Sequence, residues 1–142
     1  MRNKVFIDSS VIIAGLASNK GGAHEVLVLA ELKVIIPFIS EDVVTEVLRN
    51  VQKKLPGALE QYYLLFKTLP FIIVDFDNDT LESAQKMINE KDAPILAAAI
   101  SANVDWLLSL DKHFLWKTWA GKVDFPVCSP GTFLEDLRSM FD

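Results

Sequence analysis

The stretch KVFIDSSVIIAGL, residues 4–16, sets an aspartate and two serines between two apolar runs. Val5, Phe6 and Ile7 follow one another without a polar break, the pattern of a strand buried on both faces of a parallel sheet. Asp8 then stands at the end of that strand. A carboxylate is costly to bury, so its placement has two readings. It caps a following helix, or it is held at the lip of a sheet to bind something. The choice turns on whether other acids are placed in the same way.

Four further runs read as strands: KVIIPF at 33–38, with Pro37 marking its end, FIIVD at 71–75, WLLSL at 106–110 and FPVCS at 125–129. Helical patterns lie between them. Residues 25–31 follow the NKGG turn, and Ser40 is placed to cap a helix reaching Lys54. Pro56 and Gly57 punctuate that helix before ALEQYYLLFKTL. Asp79 or Thr80 is expected to open a helix to Glu90, Asp92 another through Asn103, and Asp111 a third to about Ala120. SPGTFLEDLRSMF, residues 129–141, has a serine at the cap, a proline at the first helical position and an arginine late. Strands alternating with helices predict an α/β fold, a three-layer α/β/α sandwich around a central parallel sheet of five strands, in one domain over residues 1–142. In such sheets ligands bind beyond the carboxyl ends of the strands, where strand order reverses.

Asp8 and Asp111 both follow strands. Asp92 leads the apolar stripe Ile95, Leu96, Ala99 and Ile100, which is expected to face the sheet. Glu46 lies in SEDVVTEVLRN, toward the polar flank of the stripe formed by Val43, Val44, Val47, Leu48 and Val51. Each acid alone is compatible with a cap or a solvated helix face. Several carboxylates turned into one cleft repel, and a hard divalent cation with oxygen ligands is the usual remedy. Such ions polarise phosphoryl oxygens and activate water.

Bulk properties narrow the field. The chain has 142 residues, is 51% hydrophobic and 23% charged, and carries a formal net charge of −5, so a polyanion must be met by a local basic patch or by bound cations. One cysteine, Cys128, and two histidines, His24 and His113, build neither a disulfide nor a zinc site. Asp8-Ser9-Ser10 interrupts what would otherwise mimic a signal peptide behind Arg2 and Lys4, and the apolar runs are too short to span a bilayer, so a cytoplasmic protein is expected. DFDNDT at 75–80 lacks the glycine and glutamate of a calcium loop, and no G-x-G-x-x-G follows the first strand.

Four motifs, in order across most of the chain, resemble the PIN-domain family of metal-dependent ribonucleases, in particular its prokaryotic toxin-like (VapC-like) members. They are FIDSSV with Asp8, SEDVVTEVLR with Glu46, KDAPILAAAI with Asp92 and WLLSLDKHF with Ser109 and Asp111. The resemblance implies hydrolysis of RNA phosphodiester bonds by in-line attack of a metal-activated water. Asp8, Asp92 and Asp111 would hold Mg²⁺ or Mn²⁺, Glu46 would orient a water or help activate it, and Ser9 and Ser109 would fix carboxylates by hydrogen bonding. It also implies a homodimer and, for a toxin of a toxin–antitoxin pair, a small protein antitoxin. Two positions depart from the family pattern: Ser9-Ser10 after the first acid, and His113 where many members have another acid. Arg49, Lys53 and Lys54 are candidates for RNA phosphates or a solvated helix end set against its dipole, and Trp106, Trp116 and Trp119 for base stacking, core packing or a subunit interface. The alternative function is a catalytically silent PIN-like module that binds RNA or protein. A phospho-acceptor domain using Asp75 is a further rival, though the acid pair it needs after the first strand is missing.

Overall fold

Val5, Phe6 and Ile7 have no solvent exposure, and they anchor the first strand, β1 (Asn3–Ile7). The computed structural model describes residues 3–140. The second apolar run of the opening stretch is a helix, α1 (Ser9–Ala17), followed by α2 (Gly22–Glu31). These two helices approach closely at Gly15, where a Cβ would lie 2.6 Å from Leu27 Cδ1 and 2.9 Å from the Ala23 carbonyl oxygen. After β2 (Ile35–Ser40), Ser40 caps α3 (Glu41–Lys54) by accepting from the Val43 amide at 3.3 Å. A 3₁₀ turn at Pro56–Ala58 leads to α4 (Leu59–Thr68). Then come β3 (Ile72–Val74), α5 (Asn78–Gln85), α6 (Ala93–Ser101), β4 (Trp106–Leu108), α7 (Lys112–Leu115), β5 (Val127–Cys128) and α8 (Pro130–Ser139).

All strand pairs are parallel, in the order β3-β2-β1-β4-β5. The chain steps outward from β1 to β3, then crosses back to β4 on the other side of β1. With right-handed connections this reversal sends the helices between β3 and β4 to the opposite face, while α8, after β5, returns to the side of α2. Helix α1 rests on α2 and α3, α2 on α8 and α3 on α4, while α5 packs on α6. The five-stranded sandwich expected from the sequence is present, with β1 and β4 adjacent at the switch point.

Several local expectations are corrected. Pro37 lies inside β2 rather than at its end. Strand β3 pairs only from Phe38 onward, so the proline sits where one flank has no ladder to lose. The cap of α5 is Asp77, which accepts from the Thr80 amide at 2.8 Å, not Asp79 or Thr80. That helix stops at Gln85, short of Glu90, where the Lys86 and Met87 amides turn back to the Ser83 and Ala84 carbonyls three residues away; beyond it Asn89 holds Asp92 through a reciprocal pair of hydrogen bonds. Helix α7 ends at Leu115, short of Ala120. The Phe114 carbonyl that would continue it accepts the Trp119 indole N–H at 2.7 Å instead. As an edge strand, β3 leaves Ile72 and Ile73 exposed. Arg2 and Phe141 lie outside the described residues.

Candidate functional site

The turn from β1 into α1 is tied to the end of β4. The Asp8 amide donates to the Leu108 carbonyl at 3.0 Å, so Asp8 and the residues after Leu108 share the lip of the sheet where strand order reverses. Asp8 occupies the N-cap position of α1, but its side chain makes no capping hydrogen bond. It is 4% exposed, and its Oδ2 accepts from Ser109 Oγ at 2.7 Å and from Ser10 Oγ at 3.0 Å. Burial pushes the Asp8 carboxyl up to about 6 against the hydrogen bonds from Ser109 and Ser10, and the charge of Glu46 pushes the same way.

The two serines are latched in turn. Ser109 Oγ accepts from the Asp111 amide at 2.9 Å, and Ser10 Oγ accepts from the Leu110 amide at 3.0 Å. Asp111 begins α7 and does act as a cap, accepting from the His113 amide at 2.8 Å. Asp92 begins α6, is also 4% exposed and also makes no capping hydrogen bond. Its Oδ2 accepts from Asn89 Nδ2 at 2.8 Å. Thus two of the three aspartates at helix starts are buried without serving as caps, and the capping explanation holds only for Asp111.

His113 joins the remaining acids. Its Nδ1 lies 3.2 Å from Asp111 Oδ1 and 3.5 Å from Asp92 Oδ2. One ligand atom each from Asp92, Asp111 and His113 falls within 4.8 Å of the others. Asp8 adjoins this group through Ser109, and Glu46 stands beside Asp8, held by Ser9 Oγ at 2.8 Å. Among the described residues no lysine or arginine is ion-paired with any of these four acids. Two carboxylates and an imidazole around one point suit a hard or borderline divalent cation, with the nitrogen favouring a transition ion such as Mn²⁺ over Mg²⁺.

The other expected residues divide. Ser9 contacts Glu46 and Ser109 contacts Asp8. Lys54, two helical turns beyond Glu46, lines a cavity of about 190 Å³ together with Ser9, Ser10, Glu46 and Asn50. Arg49 and Lys53 are exposed and lie outside that lining. His113 and Asn89 were not picked out as site residues by the sequence. The signals for them are slight: a histidine two residues after the fourth acid, and an amide three residues before the third. Cys128 is a thiol pushed up to about 11 by burial and by Asp136, inert at neutral pH. A larger cavity of about 480 Å³, lined in part by Val104, Val123 and Phe125, lies at the amino ends of β4 and β5, away from the acids.

A family model described as PIN domain matches residues 4–113. No curated protein matches the chain closely enough in sequence to count as a relative. Solved structures resemble it in fold at low identity. VapBC2 from Rickettsia felis, bound to a DNA fragment from its promoter, has a TM-score of 0.61 at 15% identity, covering 89% of this chain and 97% of its own. VapC20 from Mycobacterium tuberculosis, described as a toxin cleaving the sarcin–ricin loop, scores 0.56 at 15% identity, covering 76% and 90%. FitAcB from Neisseria gonorrhoeae scores 0.53 at 18% identity, covering 89% and 98%.

Proposed function

The chain belongs to the PIN-domain family, and on that premise we propose that it is a metal-dependent endoribonuclease acting as one domain. The observation that carries the reading is the pair Asp8 and Asp92, both buried at helix starts and neither capping its helix. Their burial without a lysine or arginine partner is explained by a divalent ion among the acids. When bound, such an ion supplies charge neutralisation at the phosphate and a more acidic water.

The remaining work falls to the chain. Asp92, Asp111 and His113, with Asp8 beside them, would hold the ion. Ser109 sets the orientation of Asp8 and, through the Asp111 amide, the turn that carries Asp111. Glu46, fixed by Ser9, accepts a proton from the attacking water at its free carboxylate oxygen. Lys54 meets the phosphate on the Glu46 side, with Arg49 and Lys53 supporting it farther along α3.

The likeness to VapBC2 and to a VapC20 toxin supports a toxin role with a small protein antitoxin as partner. Exposed Tyr63 and Leu64 on α4 and Ile72 and Ile73 on β3 support a homodimer. No described helix is long and apolar enough to cross a membrane. The deciding experiment is RNA cleavage with Mn²⁺, with and without EDTA, for wild type, Asp8→Asn and Asp92→Asn. Cutting by wild type alone, abolished by EDTA, is expected. Equal cutting by all three, or cutting that survives chelation, overturns the proposal, and no cutting by any leaves a silent binding module.

A further inference from the structure

The three tryptophans have different surroundings. Trp119 is 7% exposed, stacks on Phe114 at 6.2 Å and donates its indole N–H to the Phe114 carbonyl. Trp106 packs edge-on against Phe133 at 5.0 Å. Trp116 is 81% exposed, so packing accounts for the first two and not for the third. An indole left in water costs the fold apolar burial that its neighbours obtain.

Around Trp116 the charge of the protein reverses. Lys112 Nζ lies 5.8 Å from the centre of the Trp116 ring, and Lys117 Nζ is pinned by donating to the Met87 carbonyl at 2.6 Å. These side chains, with Asn89 and His113, line a depression of about 610 Å³, a size typical of small-ligand sites. Two of its five lining residues are lysines and none is acidic, on a chain of net charge −5. His113 is the same side chain whose Nδ1 stands 3.2 Å from Asp111, so the depression adjoins the group of Asp92, Asp111 and His113.

We infer that Trp116, Lys112 and Lys117 form a subsite for one unpaired nucleotide of an RNA strand, next to the group of Asp92, Asp111 and His113. The inference rests on the nuclease reading only for the choice of RNA. The base stacks on the indole, which accepts any base because every base has a π-face. The ammonium groups meet the flanking phosphates, and Asn89 offers a hydrogen bond to a base edge or sugar. A base paired in a duplex cannot reach the ring, so the subsite selects single strands and loops over helices. Charge complementarity favours a nucleic acid here over an apolar protein surface, which would leave the two lysines unpaired.

The test measures binding by the full-length protein in EDTA at low salt, using fluorescence anisotropy with a short fluorescein-labelled oligouridylate and with an RNA duplex. Trp116→Ala should weaken binding of the single strand between about fivefold and a hundredfold, the span of one base–aromatic stack. Trp116→Phe should keep most of the affinity, and neither change should affect the duplex. Lys112→Ala should lower the salt dependence by about one phosphate contact. The exposure of Trp116 means that these variants fold, which thermal melts verify. Wild-type affinity in Trp116→Ala, or equal losses for single strand and duplex, overturns the subsite. So does a change in sedimentation without a change in RNA affinity, which would make the patch a protein interface. Cleavage in Mn²⁺, run in parallel, separates the two readings. Intact cleavage without a Trp116 effect removes the subsite alone, whereas Trp116-dependent binding without any cleavage removes the nuclease alone.

Discussion

Replacing Asp8 by asparagine should make the metal-free protein more stable at neutral pH, by an amount that vanishes in acid. Burial raises the Asp8 carboxyl from 3.8 to about 6, and each pH unit of difference from the unfolded chain is worth about 1.4 kcal/mol. Ionised Asp8 therefore costs the folded state about 3 kcal/mol above pH ~6. The folded form binds the proton more tightly than the unfolded form. This group's contribution is thus fully present below about pH 4 and is lost as pH rises through about 6. Asparagine is nearly isosteric and its carbonyl can still accept from Ser109 and Ser10, but it carries no charge. Urea unfolding followed by circular dichroism, in EDTA, should show the variant ahead by about 2–3 kcal/mol near pH 7.5 and about level near pH 4. Carboxylates distant from Asp8 titrate alike in both proteins and cancel in the difference. Adding Mn²⁺ at about a hundredfold its dissociation constant should return about 2.7 kcal/mol to wild type and much less to the variant. An Asp8→Asn protein less stable than wild type near pH 7.5, or ahead by the same margin at both pH values, would refute the account of Asp8 as a buried, uncompensated charge.

Other outcomes follow from the same geometry. Ser109→Ala removes the donor to Asp8 and the acceptor for the Asp111 amide. It should cost about 1–3 kcal/mol in urea unfolding, push Asp8 higher and move the acid limb of the RNA-cleavage profile upward in pH. His113→Ala should weaken Mn²⁺ binding more than Mg²⁺ binding in titration calorimetry, since the imidazole nitrogen favours the transition ion; equal losses would exclude His113 as a ligand. Gly15→Ala ought to gain about 1 kcal/mol of helix propensity. Instead it should destabilise by about 1–3 kcal/mol in thermal melts, because the new methyl meets Leu27 and the Ala23 carbonyl.

Several parts of this protein were written locally and could be read without coordinates. The strands β1, β2 and β4 are runs of apolar, often β-branched residues between polar turns, and the caps at Ser40 and Ser129 are signalled by residues three positions away at most. The parallel sandwich follows from their alternation with helices, because a parallel pair needs a crossover. Asp8, Asp92 and Asp111 stood out because each breaks an apolar pattern where a carboxylate is expensive. Helix α1 was less legible, since Val11, Ile12 and Ile13 suit a strand equally well until packing against α2 decides.

What the chain order could not decide lies in contacts between distant segments. Ser109 reaches Asp8 across 101 positions, and Ser9 reaches Glu46 across 37; no local periodicity encodes which hydroxyl meets which acid. The entry of His113 into the group of Asp92 and Asp111 depends on how α6 and α7 start at neighbouring points of the lip. The early end of α7 depends on the Trp119 indole capturing a carbonyl that the helix would have used. Residue types determined the strands, the buried stripes and the acids that sit badly in them, because burial and backbone preference act over a few residues. Tertiary structure alone decided which of those acids are spent as caps and which tryptophan is left in water, because both depend on what the folded sheet brings alongside.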